Sequence, residues 1–349
     1  MTERVYDIAF IGAGQGGGRI AAAFHERGYD KILAVNTAPQ DLKRLVIPEE
    51  NKVAIDGERQ GAGKDPAVAS SLVKSNSEKI LLKMKDLFGK CDRIIICVGA
   101  GGGTGTGSCE PLIEISKKYM KSIGFSDPKK KVGVVCSIPT DGELRSSVVA
   151  RNAEMVIGRM MVLSRQGDIS PTILVDNNKI REIFPGLTMR DFWPTANKSV
   201  AEAFDAFNTI PCMDSPFASF DPSDYESVME AGGFMTMGSC EVDGEITSQS
   251  LIEGFENTLK KNIVCDTFPI ATSIASACII CCSPEVTDST PGLMDEIDDA
   301  LDEMSARLKS KYIHRGVYED DIEGVTIYSI TGGLDLPKEI LVRLARLSK

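Results

Sequence analysis

A run of glycine and threonine, GGGTGTGS, occupies residues 101–108 and directly follows an apolar, strand-like segment, RIIICVGA. Glycines let the backbone turn tightly, and successive backbone amides at a helix start can surround an anion. The two threonine hydroxyls can contact the same anion. Because the run lacks the lysine of the GxxxxGK[ST] pattern, it is not a P-loop of the Walker type. It therefore predicts a phosphate site of another kind.

A second glycine-rich turn, GAGQGGG, spans residues 12–18 after the first apolar segment. It nearly fits the GxGxxG dinucleotide fingerprint, which is a weak signal by itself. A nicotinamide dehydrogenase usually has an acidic residue at the end of the next strand, where it holds a ribose. Here that strand ends at Val35, Asn36 and Thr37. A dehydrogenase therefore stays open only as an alternative.

Two carboxylates, Asp221 and Asp224, stand three residues apart at a predicted helix start in the segment SFDPSDY. At this spacing both side chains can lie on one side of the helix. Two such carboxylates can orient a water molecule and accept its proton during attack on a phosphate. Aspartate is also a common N-terminal helix cap, so a purely structural role is the alternative.

Apolar segments alternate with helix patterns through the first half of the chain, which predicts a parallel sheet covered on both faces. Ligands of such sheets bind beyond the carboxyl ends of the strands, where the glycine-rich turns fall. The second half predicts helices at about 248–261 and 292–311, strands at 270–282 and 324–332, and a terminal helix. We expect an α/β, Rossmann-like domain over 1–196, a linking helix over 197–212, and a smaller α+β domain over 213–349 that starts with the acidic loop.

The bulk composition excludes several function classes. The formal net charge of the 349 residues is −11, which argues against general nucleic-acid binding. With only two histidines, catalysis based on histidine is not expected. Cys278 and Cys281 form one CxxC without a second pair, so a zinc site is not expected either. No secretory signal or membrane-spanning segment is recognisable, which predicts a cytoplasmic protein.

Residues 101–107 resemble the GGGTG[ST]G signature of tubulin and FtsZ, and the resemblance extends over most of the chain. The segment 36–42, NTAPQDL, is similar to the family's NTDxQxL loop, with Ala38 in place of an acidic residue. GAGKDP at 61–66 resembles the GAGGNP loop that senses the third phosphate, and Lys64 replaces a glycine there. SFDPSDY resembles the NxDxxD catalytic loop, with Ser219 in place of asparagine.

The resemblance implies a role for individual residues. Glu143 and Arg145 would face the ribose, Phe204 would stack on the base, and Asn208, four residues later on the same helix face, would read guanine. Asp221 and Asp224 would be catalytic. The implied nucleotide contacts are Gly14, Gln15, Gly16, Gly17, Asn36, Gly61, Ala62, Gly63, Gly101, Gly102, Gly103, Thr104, Gly105, Thr106, Gly107, Glu143, Arg145, Asn177, Phe204 and Asn208.

For a protein of this family, the resemblance implies binding of GTP or GDP with Mg²⁺ and head-to-tail assembly into a filament. The acidic loop of one subunit would then act on the nucleotide of the next. FtsZ-like, CetZ-like and TubZ-like branches stay open, with roles in cell division, cell shape or DNA segregation and with a membrane-bound or DNA-bound adaptor as a further partner. Gln15 and the segment LVDNNK lean away from standard FtsZ. A non-polymerising, GTP-dependent regulator is the other alternative.

Overall fold

The computed structural model describes residues 3–55, 61–260, 262 and 268–348. The strands of this part of the chain are β1 Ile8–Ala13, β2 Ile32–Asn36, β3 Lys52–Ala54, β4 Arg93–Gly99, β5 Val132–Ile138, β6 Thr172–Asp176, β7 Phe234–Val242, β8 Ala275–Cys282, β9 Tyr312–Glu319 and β10 Val325–Leu334. The helices are α1 Gly14–Glu26, α2 Pro39–Lys43, α3 Pro66–Ser75, α4 Ser77–Phe88, α5 Gly103–Ser122, α6 Asp141–Leu144, α7 Ser147–Arg165, α8 Asn177–Ile183, α9 Phe192–Thr209, α10 Pro222–Met229, α11 Ser248–Lys260, α12 Pro284–Ser289, α13 Leu293–Leu308 and α14 Lys338–Leu347.

One sheet contains all ten of these strands, in the order β3-β2-β1-β4-β5-β6-β7-β10-β8-β9. Strands β1 to β6 are parallel to one another. Every residue of β1, β2 and β6 is buried, as expected for parallel strands that are covered on both faces. The predicted α/β fold class is confirmed. The carboxyl ends of β1, β2, β4, β5 and β6 consequently meet at one edge of the sheet.

The second half of the chain continues the same sheet. Strand β7 pairs in parallel with β6 through Ile173 and Met235. Strand β10 then lies antiparallel between β7 and β8, and β9 forms the edge next to β8. This mixed part, with α11 and α13 packed on it, is the predicted α+β region. Because the sheet is continuous, the boundaries proposed for the two domains stay a prediction.

Several predicted elements differ from the observed ones. The linking helix α9 begins at Phe192, five residues before its predicted start at residue 197. The predicted strand 270–282 begins only at Ala275, because Ile270–Thr272 form a 3₁₀ turn. Strand β9 was not predicted at all. Residue 261, the predicted end of α11, lies outside the described residues.

Apolar side chains cover both faces of the sheet. One core cluster includes side chains of α4, α5, α7 and α14, and a second joins the other face to α1, α9 and α10. A third cluster lies under α11 and α13. Within the described ranges, no helix is long and apolar enough to cross a membrane.

Candidate nucleotide site and acidic loop

A cavity of about 680 Å³ lies at the carboxyl edge of the parallel strands. This volume is within the usual range for a small-molecule site. Helices α1 and α5 both begin at its wall, at Gly14 and Gly103. Neither helix start is capped by a side chain, so the free amide groups of both first turns remain available to an anion.

The two glycine-rich loops touch each other, and only glycine fits at the contact. A Cβ atom at Gly105 would lie 2.5 Å from the carbonyl oxygen of Gly99. Gly14 has a φ of +71° and a Cβ there would lie 3.0 Å from the amide nitrogen of Gly105. Next to this contact, the hydroxyls of Thr37 and Thr104 are 2.7 Å apart and hydrogen-bonded. The loops thus form a tight wall of backbone and hydroxyl groups that suits phosphate oxygens.

Most of the predicted nucleotide contacts line this cavity, although Arg145 does not. Those that line it are Gly14, Gln15, Gly16, Asn36, Gly61, Ala62, Gly63, Gly101, Gly102, Gly103, Thr104, Gly105, Glu143 and Asn177. Segments far apart in sequence therefore meet at one place, as predicted.

Three predicted contacts have a packing role instead. A Cβ atom at Gly17 would lie 1.9 Å from the carbonyl oxygen of Cys97, and one at Gly107 would lie 2.0 Å from that of Pro66. The hydroxyl of Thr106 donates to the carbonyl oxygen of Ala100 at 2.8 Å. These glycines let helices α1 and α5 pack closely on the strand and on α3, outside the cavity wall.

The assignment of the base contacts to Phe204 and Asn208 is wrong. Phe204 is 1% exposed and packs edge-on against Phe10 and Phe24. Asn208 is fully buried, and its amide bonds both the backbone nitrogen and the carbonyl oxygen of Tyr6. Tyr6 precedes β1, at the opposite end of the strand from the cavity. Both side chains belong to the core beneath the sheet.

The same helix brings Trp193 and Asn197 to the cavity. They also are an aromatic residue and an asparagine four positions apart, in the first two turns of α9. They were not predicted as site residues, because the linking helix was expected to begin at residue 197 and Trp193 lies before that position. Pro194 is tolerated there because the first turn of a helix needs no backbone donor.

The predicted third-phosphate loop also reaches the cavity. Lys64 lines it, is exposed, and adopts a left-handed φ of 64°. Its carbonyl oxygen accepts a hydrogen bond of 3.0 Å from the Asn152 amide, which also donates to the carbonyl oxygen of Gly101 at 3.3 Å. Asn152 is 3% exposed. One buried side chain, which the sequence did not mark, thus joins two loops of the site.

The segment after β5 forms another part of the wall. Glu143 lines the cavity, but its carboxylate accepts hydrogen bonds of 2.8 Å from the amide and the hydroxyl of Thr140 in a capping box. The C-terminal helix α14 packs on its own chain, and Arg343 pairs with Asp141 at 2.5 Å and with Asp176 at 3.4 Å. Arg343 therefore holds α14 next to the residues that flank the cavity.

The acidic loop lies at the other edge of the sheet. The hydroxyl of Tyr6, just before β1, donates to the carbonyl oxygen of Pro222 at 2.8 Å. Arg93, the first residue of β4, pairs with Glu226 at 3.3 Å and Glu230 at 3.1 Å in and after α10. Because β1 is six residues long, the two edges are about 20 Å apart. Asp221 and Asp224 therefore cannot belong to the cavity of their own chain.

Asp221 and Asp224 begin α10. Asp221 is exposed and is the N-cap residue. Its backbone nitrogen donates to one carboxylate oxygen of Asp224 at 3.1 Å, while the other lies 2.8 Å from Nδ1 of His314. The helix-capping alternative is thus present in the structure, and it leaves the Asp221 carboxylate at the surface.

The CxxC pair does not form a metal site. Cys278 belongs to the core under α11 and α13, whereas Cys281 belongs to the core on the opposite face of the sheet. Burial raises the pKa of both thiols to about 12, so both are protonated at neutral pH. No group of three or more His, Cys, Asp or Glu residues that could hold a metal ion occurs in the part of the chain that the structure describes.

The sequence model described as "Tubulin/FtsZ family, GTPase domain" matches residues 7–185, slightly more than half of the 349 residues. The chain belongs to the tubulin/FtsZ family. The model described as "Tubulin-like protein TubZ, C-terminal domain" matches residues 218–338 of this tubulin/FtsZ protein. The family has a GTPase domain where the structure has its cavity, and this assignment removes the dehydrogenase alternative.

Relatives cover nearly the whole chain. The Tubulin-like protein TubZ of Bacillus cereus is 26% identical, over 95% of this chain and 80% of its own length. The Tubulin-like protein CetZ of Pyrococcus horikoshii is 28% identical, over 91% of this chain and 84% of its own. A GTPγS-form protofilament of Bacillus thuringiensis serovar israelensis TubZ shares the fold, with a TM-score of 0.84 and 21% identity over 99% of this chain and 92% of that one.

Proposed function

We propose that this protein hydrolyses GTP at a site completed by a second copy of the same chain, and that repeated contacts of this kind build a filament. The cavity of one subunit holds the nucleotide, and Asp221 and Asp224 of the next subunit orient and deprotonate the attacking water. A contact between opposite edges of identical subunits does not close on itself, so it propagates head to tail.

The separation of the two edges carries this proposal. The cavity offers amide groups and hydroxyls for phosphates. Among the described residues, two carboxylates line it, those of Asp41 and Glu143, and the Glu143 carboxylate is already hydrogen-bonded to Thr140. The acidic loop, in contrast, presents the exposed Asp221 about 20 Å away along the strands. Stacking one subunit on another brings these complementary surfaces together. The structurally similar TubZ of Bacillus thuringiensis forms a GTPγS-form protofilament, which supports the stacking of subunits.

For the base, we propose Trp193 as the stacking aromatic and Asn197 as the amide that reads guanine. Both line the cavity, one helical turn apart on α9. Asparagine offers a donor and an acceptor, which can pair with the polar edge of guanine. Lys64 and Arg19 also line the cavity and bring positive charge to the phosphates.

Mg²⁺ suits the same cavity. This ion usually binds through one or two carboxylates plus substrate phosphates and water, and Asp41, Thr37 and Thr104 place oxygen atoms beside the phosphate loops. When bound with the nucleotide, the ion would neutralise phosphate charge. We further propose that the protein works in the cytoplasm, and the match of residues 218–338 supports the TubZ-like branch.

The test is phosphate release from GTP as protein concentration rises, with light scattering followed in the same sample. We expect turnover per subunit to appear above a threshold concentration together with scattering. Asp221→Ala should keep the threshold and GTP binding but lower turnover by roughly 100-fold or more, the usual contribution of a general base. Asp86→Ala, on the exposed surface of α4, is the matched control and should behave like the wild type.

Turnover that is independent of concentration, without scattering, would contradict assembly and favour the non-polymerising regulator. Unchanged phosphate release from Asp221→Ala would contradict the role of the acidic loop even if filaments form.

A further inference from the structure

We propose that His314 is a positioning residue for GTP hydrolysis, which fixes the carboxylate of Asp224 in the orientation that the neighbouring subunit's nucleotide requires. This inference rests on the proposed function, since it assumes that Asp224 acts across the subunit contact. His314 lies in β9, at the edge of the sheet and 90 residues after Asp224.

Strand β9 anchors the segment that leads into the acidic loop. The backbone nitrogen of Val317 donates to the carbonyl oxygen of Ala218 at 2.8 Å. The hydroxyl of Tyr318 accepts a hydrogen bond of 2.6 Å from the Phe220 nitrogen and donates to the Phe220 carbonyl oxygen at 3.2 Å. The residues immediately before Asp221 are therefore held on β9 by both backbone and side-chain contacts.

One face of β9 is shaped for this loop. His314, Gly316 and Tyr318 alternate along the strand and share a face. A Cβ atom at Gly316 would lie 2.8 Å from the Tyr318 ring and 3.1 Å from the Phe220 Cβ. The missing side chain thus makes room for Phe220, whose ring centroid lies 6.3 Å from that of His314.

His314 completes the set of contacts to Asp224. Its Nδ1 lies 2.8 Å from one carboxylate oxygen, and the Asp221 nitrogen donates to the other at 3.1 Å. Two donors from different directions fix the rotation of the carboxyl plane. The Asp224 side chain keeps 26% of its surface exposed, so it is oriented but still accessible to a partner.

The geometry also assigns the proton on the ring. A carboxylate only accepts hydrogen bonds, so Nδ1 must carry the hydrogen atom. Nε2 is buried and has no hydrogen-bond partner within the described ranges. His314 therefore acts as a fixed donor to Asp224 from one defined atom.

This assignment predicts which substitutions are tolerated. The amide of asparagine can place a donor near the position of Nδ1, whereas glutamine places it about one bond further along the side chain. Phenylalanine keeps the ring next to Phe220 and removes the donor. If His314 only filled space, phenylalanine would be the mildest change. If it positions Asp224, asparagine would be.

The experiment measures kcat for GTP in assembled protein, together with the threshold concentration for assembly and the Kd for GTP. We expect His314→Phe and His314→Gln to lower kcat roughly 10-fold or more, as small misplacements of catalytic groups do, with threshold and Kd unchanged. His314→Asn should stay within about 3-fold of the wild type. His25→Asn, which changes the other histidine of the chain, is the control.

Two results would overturn the inference: full kcat in both His314→Phe and His314→Gln, or equal losses in all three His314 variants. Asp224→Ala is measured in parallel. Full turnover in Asp224→Ala would mean that the proposed function itself is wrong, whereas lost turnover in Asp224→Ala with full turnover in the His314 variants would contradict only the role of His314. In the Asp224→Ala background, His314→Gln should lower kcat no further, since the positioned group is gone.

Discussion

The two edges of the sheet are formed by different chemical groups: backbone groups at one edge and side chains at the other. At the carboxyl edge, backbone amides of glycine-rich loops form the wall, and the approach of Gly105 to the carbonyl oxygen of Gly99 leaves no room for a side chain. At the amino edge, the acidic loop is held by side chains: Tyr6, Arg93, Tyr318 and His314. A backbone wall is fixed by the fold itself, whereas a side-chain clamp can be altered one group at a time.

If the proposed function holds, this difference explains how one chain binds a nucleotide and yet leaves it intact until assembly. The groups that suit phosphate binding and those that suit water activation lie at opposite ends of the same strands. In the proposed mechanism, contact between subunits supplies the missing half of the site. We therefore expect that a substitution at either edge alone abolishes turnover, and that two subunits altered at different edges restore it when mixed.

The largest effect is expected from a mixing experiment. Gly102→Asp places a negative charge at the start of α5, where an added Cβ meets no atom within 4 Å, and should repel phosphates without disturbing the fold. Gly102→Asp and Asp221→Ala should each lose roughly 100-fold or more in turnover. In an equal mixture, about a quarter of random head-to-tail contacts join an intact cavity to an intact acidic loop, and activity should return in proportion.

Phosphate release from the mixture, compared with each variant alone, measures this recovery. Gly102→Asn, which has the same shape without the charge, is the control and should retain binding. A mixture that is no more active than its components would indicate that the two edges do not meet, and the comparison would fail.

A smaller effect on GTP binding should distinguish the two aromatic residues of α9, Trp193 and Phe204. Trp193→Ala should weaken GTP binding roughly 10-fold, because stacking of a base on an aromatic ring contributes about 1–3 kcal/mol. Phe204→Leu should leave the Kd unchanged and instead lower the free energy of unfolding by about 1 kcal/mol, as substitutions of buried apolar side chains do. Fluorescent-nucleotide titration and urea denaturation measure the two quantities. The opposite pattern would restore Phe204 to the base site.

The smallest effect concerns the ion pairs that hold α10. Burial alone would raise the pKa of Glu226, but the hydrogen bond from Lys131 and the charges of Lys131 and Arg93 outweigh it and lower this pKa. The resulting stability is present above the ordinary pKa of a glutamate and is lost as pH falls through the lowered value. Glu226→Gln should therefore lower the urea midpoint at pH 7, and the difference should shrink below about pH 4.5.

Glu226 is partly exposed, so the expected loss at neutral pH is less than about 1 kcal/mol. Glu323→Gln, at an exposed position before β10, is the control. A difference between wild type and Glu226→Gln that grows on acidification would contradict the sign of this contribution.

The sequence was sufficient for those parts of the site that are local. Each glycine-rich loop stands between its own strand and helix, so its position at the carboxyl edge follows from the strand–loop–helix order. The helix start at Asp221 was also predicted from the sequence, and α10 begins there. The confirmed family and fold show that such local patterns carry most of the architecture.

The proposed base contacts, Trp193 and Asn197, were missed for a geometric reason. Phe204 and Asn208 follow Trp193 and Asn197 by 11 residues, which is about three helical turns, so both pairs lie on the same face of α9. The rise over 11 residues is about 16 Å. Residue type and spacing are alike in the two pairs, and only the position of the helix relative to the sheet decides which pair reaches the cavity.

Contacts between distant segments were equally invisible in the sequence. Strand β9 has a glycine at its centre, so its alternation of apolar and polar residues is weak, and nothing local links His314 to Asp224. Asn152 looks like an ordinary polar residue of α7 until the fold brings the carbonyl groups of Lys64 and Gly101 to its amide.

The side-chain amide of Asn152, which bonds two loops, can report on the state of the nucleotide site by NMR. Its two hydrogen bonds end on two different loops of the site, at Lys64 and Gly101, so a displacement of either loop changes the electronic environment of one nitrogen atom. In protein labelled with ¹⁵N at asparagine only, the side-chain resonance of Asn152 would report exchange of GTP for GDP from inside the core, without a dye and without altering any surface that meets another subunit.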